Sequence, residues 1–142
     1  MEATARQPRF TVNYCPQIAL PKSSLRPASG EVEWKQTGVR LGYSLRPSGD
    51  GSWTLRLSYT FLVMPRAQEV ALASTTPHYG GRRWWFACPG CQARAGRLYL
   101  HQLSFRCRKC HGLTYRSAQL SRSGRRAAVK DGAASYLRRL QV

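Results

Sequence analysis

Cys88, Cys91, Cys107 and Cys110 form two C-x-x-C pairs, with 15 residues between Cys91 and Cys107. That is the ligand spacing of a zinc ribbon. A C-x-x-C turn aims two thiolates at one ion while backbone amides of the turn donate to the sulfurs. Two such turns complete a tetrahedron of soft ligands, and four cysteines leave no open position for water, so the expected Zn2+ is structural and single. The second pair runs into His111, and "CRKCH" (107–111) is also the string that attaches haem covalently. Haem would leave Cys88 and Cys91 idle and would require export, for which the chain shows no signal. A redox C-x-x-C would need one pair and a βαβ context, which is missing. His101 and His111 are spare imidazoles, expected on the surface or behind the ligands. Cys15, alone in "NYCPQ", reads as a small buried hydrophobe, since no base stands near it in sequence.

Charge suggests what the metal-bearing half meets. Of 23 Lys and Arg residues, 14 fall from Gly80 onward, against one acid, Asp131, so that half carries most of the net charge of +17. Such an excess opposes compaction by self-repulsion, and a polyanion relieves it. Nucleic acid, DNA or RNA, is therefore the expected partner, contacted through Arg82, Arg83, Trp85, Arg94, Arg97, Arg106, Arg108 and Lys109, and through Arg122, Arg125, Arg126 and Lys130 on one side of an ideal helix. A membrane surface fits less well, because no long basic amphipathic helix with bulky apolar residues stands out. The N-terminus lacks an apolar stretch of signal-peptide length and no run approaches a membrane span, so a cytoplasmic protein with reduced cysteines is expected. The acids Glu2, Glu31, Glu33, Asp50, Glu69 and Asp131 form no metal-binding pair, and no deaminase signature or phosphate-cradling loop is present. A binding module is expected rather than an enzyme.

Strands must position these groups. "EVEWK", "VRLGYSLR" and "SWTLRLSYTF" alternate apolar and polar residues, with Val39, Leu41, Tyr43 and Leu45, and Trp53, Leu55, Leu57, Tyr59 and Phe61, forming one apolar face of an antiparallel meander; "PSGDGS" (47–52) is a hairpin loop, and "EVALAST" (69–75) a fourth strand. "RRWWFA" leads into the first cysteine turn, "GRLYLHQ" leaves it and "LSFR" returns to the second. Trp85 shares a strand side with Arg83, and Trp84 shares the other with Phe86; one side should be core, and the other could stack on an unpaired base. Both rings buried is the plainer alternative. Beyond Ser117, Ala133, Tyr136, Leu137 and Leu140 recur at helical spacing, interrupted by Gly124 and Gly132, which predicts one or two basic helices.

The stretch from His78 to Gln119 resembles a family of zinc-ribbon proteins of bacterial phages, prophages and mobile elements. The resemblance rests on Gly80, Gly81, Arg83, Trp85, Phe86, Cys88, Pro89, Cys91, Leu98, Tyr99, Leu100, Phe105, Cys107, Arg108, Cys110, Leu113, Tyr115 and Ser117. It departs at Gln92, where the pattern has a glycine or similar small residue. It implies a zinc ribbon in a mobile-element setting, and no activity. The expected organisation is an extended N-terminal arm (1–30), an antiparallel β-meander (31–76), a four-cysteine zinc ribbon packed on it (77–116) and a basic helical tail (117–142), mainly β with C-terminal α. The expected function is nucleic-acid binding, mainly through phosphates. The alternative is docking on a polymerase, recombinase or other nucleoprotein complex, with nucleic acid contacted only there.

Overall fold

The computed structural model describes residues 10–21, 24–61, 63–115, 118, 123 and 137–140. A short 3-10 turn, Val12–Tyr14, precedes β1 (Gln17–Ala19). Nine strands follow: β2 (Ala28–Trp34), β3 (Val39–Pro47), β4 (Trp53–Phe61), β5 (Met64–Thr75), β6 (Arg83–Ala87), β7 (Arg94–Ala95), β8 (Arg97–His101), β9 (Ser104–Arg106) and β10 (Leu137–Arg139). Strands β2 to β7 form a six-stranded antiparallel sheet in chain order. The second sheet runs β10-β1-β8-β9, with β10 parallel to β1 and the other neighbours antiparallel.

The alternation read from the sequence determines which way the large sheet faces. A strand points successive side chains to opposite sides, so one apolar residue in two is enough to make a buried face. Register stacks those residues in columns: Leu45 opposite Leu55 opposite Val70, and Trp53 opposite Leu72 opposite Phe86. The covering layer is the small sheet. Ile18, Leu98, Leu100, Phe105 and Leu140 join Trp34, Leu41, Leu45, Leu55, Leu57, Val70 and Phe86 in one core. Tyr59 and Phe105 meet edge to face across the layers at 5.2 Å.

Side chains of the large sheet also hold the β8–β9 hairpin. Its turn residues Gln102 and Leu103 both have positive φ, 48° and 70°, without being glycine, a conformation that carries strain. Tyr59 Oη donates to the Leu103 carbonyl at 2.9 Å. The Gln68 amide then completes the edge of β9: its Nε2 donates to Phe105 O at 2.8 Å, and its Oε1 accepts from Phe105 N at 3.0 Å. One side chain thus satisfies a backbone donor and acceptor that would otherwise lack partners.

The expected C-terminal α segment is corrected. The fold class is mainly β: among the described residues no helix reaches seven residues, and the described end of the expected helical tail is strand β10. Leu140 is buried in the core at 1% exposure, beyond a strand rather than on a helix face. Within 117–136 only Ala118 and Ser123 are described, each in helical backbone; Ser117, Arg122, Arg125, Arg126 and Lys130 lie outside the described residues. The segment expected as an extended arm is built in, because β1 is an inner strand of the small sheet. Ahead of it, Val12 N donates to Thr114 O at 3.0 Å and Thr114 N to Phe10 O at 3.1 Å, and Val12, Cys15, Tyr99 and Leu113 pack as a second small cluster. The ribbon, expected to pack on the meander, is divided between the two sheets. Its first hairpin extends the large sheet and its second belongs to the small one. Among the described residues no helix is long and apolar enough to cross a membrane.

Candidate metal centre

The first cysteine turn joins β6 to β7, and the second follows β9. The end of each sheet therefore delivers two sulfurs to one point. All four Sγ atoms lie within 4.8 Å of one another. The cross pairs Cys88–Cys110 and Cys91–Cys107 are 3.7 and 3.8 Å apart. Sulfurs at the corners of a tetrahedron, about 2.3 Å from a central ion, are separated by about 3.8 Å. The donor set fits a thiophilic metal ion in tetrahedral coordination.

Local chain geometry explains the convergence. In the first turn Gln92 N donates to Cys88 O at 2.8 Å, and in the second His111 N donates to Cys107 O at 3.3 Å. Gln92 takes φ 61°, so the turn keeps its shape without the small residue of the resembling pattern; Gly112, with φ 63°, serves after the second turn. The Cys88 sulfur accepts from Gly90 N at 3.4 Å and from Cys107 N at 3.2 Å, so one turn donates to the other's ligand. Burial pushes the Cys88 thiol up, but the backbone donors of Cys107, Cys91 and Gly90 outweigh it and bring the group down to about 6. Cys110 is pushed up to about 12, by desolvation and by its hydrogen bonds to the other three sulfurs, and burial also raises Cys107. Four thiols this close resist ionising together, and a bound cation removes that resistance.

His111 is a brace rather than a ligand. Its Nε2 lies 2.9 Å from Tyr99 O and 3.1 Å from Ser104 O, two carbonyls of the β8–β9 hairpin, so this nitrogen carries the proton. Burial holds the ring's pKa below its ordinary value, keeping it neutral. His101 meets it edge to face at 5.4 Å and stacks on Phe10 at 4.9 Å. With the imidazole committed to carbonyls and both cysteines grouped with Cys88 and Cys91, haem attachment has no geometry here. Cys15 is buried, and desolvation pushes its thiol up to about 11, which suits packing and not nucleophilic chemistry.

Two basic grooves meet at Gly96 and Arg97, and the second reaches the cysteines. The first, of about 670 Å³, is lined by Arg82, Arg83, Trp84, Trp85, Arg97 and Arg139 together with Pro77, Gly80, Gly81 and Gly96. The second, of about 570 Å³, is lined by Arg94, Arg97, Tyr99, Arg108, Lys109 and Tyr115 with Cys91, Cys107 and Gly96. Gly96 and Arg97 belong to both, and among the described residues no acidic side chain lines either. The two ion pairs found among the described residues, Arg40–Glu33 and Arg56–Glu69, lie elsewhere, between strands of the large sheet.

Of the basic residues singled out from sequence, Arg82, Arg83, Arg94, Arg97, Arg108 and Lys109 come together here. Arg106 is exposed on β9 and lines neither groove. Arg139 was missed, because the helical reading of "YLRRL" hid it. The tryptophans divide as their strand alternation requires. Trp84 packs against the core and meets Trp53 edge to face at 6.3 Å, whereas Trp85 stays partly exposed on the outer face. Trp85 Nε1 donates to Thr75 Oγ1 at 2.9 Å, and the Arg83 guanidinium lies 3.9 Å above the ring. Arg108 sits likewise 5.0 Å over Tyr115. The chain matches no family model, no curated protein and no solved structure.

Proposed function

We propose that the protein is a zinc-ribbon module that binds DNA or RNA chiefly through phosphates, acting in a phage or mobile-element process and without a catalytic role. One Zn2+ held by Cys88, Cys91, Cys107 and Cys110 is structural, its job being to fasten the ends of two sheets. Zinc is the reading because two C-x-x-C pairs at this spacing, supplying four thiolates and no open position, are the ligand pattern of structural zinc sites. The observation that carries the nucleic-acid reading is the pair of grooves meeting at Arg97, lined by arginines and a lysine and, among the described residues, by no acid. Such surfaces attract phosphate and release its condensed counterions, so affinity falls steeply with salt.

The test is binding of labelled random-sequence DNA and RNA at two salt concentrations by the wild type and by Arg97→Glu. Six phosphate contacts would weaken binding roughly a thousandfold between 50 and 200 mM salt. Sequence preference should be slight, because phosphates carry no base information. Arg97→Glu should weaken every sequence alike and flatten the salt slope. A flat salt dependence with no effect of Arg97→Glu rejects this reading and favours docking on a polymerase, recombinase or other nucleoprotein complex. One observation speaks for that second reading. Phe10, Tyr14 and Val63, exposed by 53%, 59% and 93%, line a cleft away from the grooves, with Met64 beside it also exposed.

A further inference from the structure

We infer that the two basic grooves form one track for a single strand of DNA or RNA, with Tyr79 stacking on a base at its rim and Gly96 forming its floor. This rests on the nucleic-acid reading above and narrows it to unpaired strands.

The first argument is the supply of flat surfaces. The Arg83 guanidinium lies over Trp85 at the first groove, and Arg108 over Tyr115 at the second. Aromatic rings and arginine guanidiniums are the usual platforms for splayed bases, and each groove holds one of each in contact. A duplex keeps its bases stacked inside and gives such planes nothing to cover. Duplex recognition instead inserts a helix or a two-stranded ribbon into a groove, whereas here the protein supplies the concave surface.

Tyr79 adds a second argument. It is fully exposed, at 100%. Its loop continues into Gly80 and Gly81, both at φ +79° with nothing within 4 Å of where a Cβ would stand, and both glycines line the first groove with Pro77. An isolated exposed aromatic is ordinary. Tyr79 stands between Pro77 and Gly80, both of which line the arginine-lined groove, so the exposed ring is in reach of a base entering the track.

Gly96 supplies the third. It lines both grooves, so the strand must pass over it to use both. Its backbone does not require glycine: φ lies outside the left-handed range, and among the described residues an added Cβ would meet only Trp85 Cζ3, at an ordinary 3.8 Å. Packing therefore tolerates a side chain there, and a large one would stand in the track.

The experiment uses the full, zinc-loaded chain. Fluorescence anisotropy is measured with oligothymidine and oligouridine of about a dozen nucleotides, within the span that such single-strand sites cover, and with a duplex of equal length. Zinc content and thermal unfolding serve as controls on Tyr79→Ala, Gly96→Ala and Gly96→Leu. Single strands should bind at least tenfold more tightly than the duplex. Tyr79→Ala should lose about tenfold on single strands, as one stacked base predicts, with the salt slope unchanged because no phosphate contact is lost. Gly96→Leu should lose more and Gly96→Ala little. Should Gly96→Leu fail to keep zinc, Tyr79→Ala decides, since its side chain touches nothing. Equal binding of duplex and single strand, or a silent Tyr79→Ala, overturns the track while salt-dependent binding preserves the broader reading. No binding to any of the three probes overturns both.

Discussion

Gly90 sits where the two cysteine turns come closest. A Cβ there would lie 2.9 Å from Cys110 Sγ and 3.3 Å from Arg106 Cδ, so Gly90→Ala must push a ligand sulfur aside without deleting it. Zinc affinity should fall by about tenfold or more, the usual scale for disturbing the support of a metal ligand; competition against a chromophoric chelator reads this, and an unchanged affinity would mean the turns have slack. Cys88→Ser should be harsher, because Cys88 is both ligand and acceptor of the Cys107 amide, and the variant should bind well under one equivalent of zinc. The four cysteines were legible from sequence because their spacing is local. Gly90 carried no such local mark, since its constraint comes from a turn 20 residues away in the chain. Arg139 and Tyr79 were invisible for the same reason: a groove is made by strands that are neighbours in space, and neither residue carries a local mark of that.

Two elements test how the layers are joined. Gln68 links β5 to β9 through both polar groups of its amide, so Gln68→Ala strands a backbone N–H and C=O and should cost about 1–3 kcal/mol, read as a lowered denaturant midpoint with unchanged slope. Gln68→Glu should be no rescue, because a carboxylate cannot donate to the Phe105 carbonyl. Leu140→Ala removes a fully buried side chain just beyond β10 and should cost about 2–5 kcal/mol; a cost near zero would mean that β10 is not part of the folded core. The meander was legible because three long strands repeat the period of two often enough to exclude other periods. Strands β1 and β10 were not. Three residues cannot display a period, and Leu137 and Leu140, three apart, fit a helical stripe as well as they fit a strand and the step beyond it. Only the pairing of β10 with β1, between opposite ends of the chain, distinguishes the two, and no local pattern encodes it.

At the scale of the whole molecule, charge and metal act on the same joint. With net charge +17, the free protein is strained by its own repulsion, so its thermal midpoint should rise with salt as screening sets in. That is opposite to the fall expected for nucleic-acid affinity over the same range. If one ion fastens a hairpin of each sheet, as proposed, chelation should raise hydrogen exchange in β6–β7 and β8–β9 together; exchange confined to one hairpin would argue against the staple. The position of β1 has a further consequence, for biosynthesis. Its neighbours β8 and β10 are both made later, β10 among the last described residues, whereas every strand of the large sheet from β2 to β7 is complete by residue 95. During translation, at about 5–20 residues per second, the large sheet can form while β1 waits with its edges open. The emerging chain is thus exposed to aggregation for seconds at its start, and it is released from that risk only when residue 140 clears the ribosome and closes the small sheet around β1.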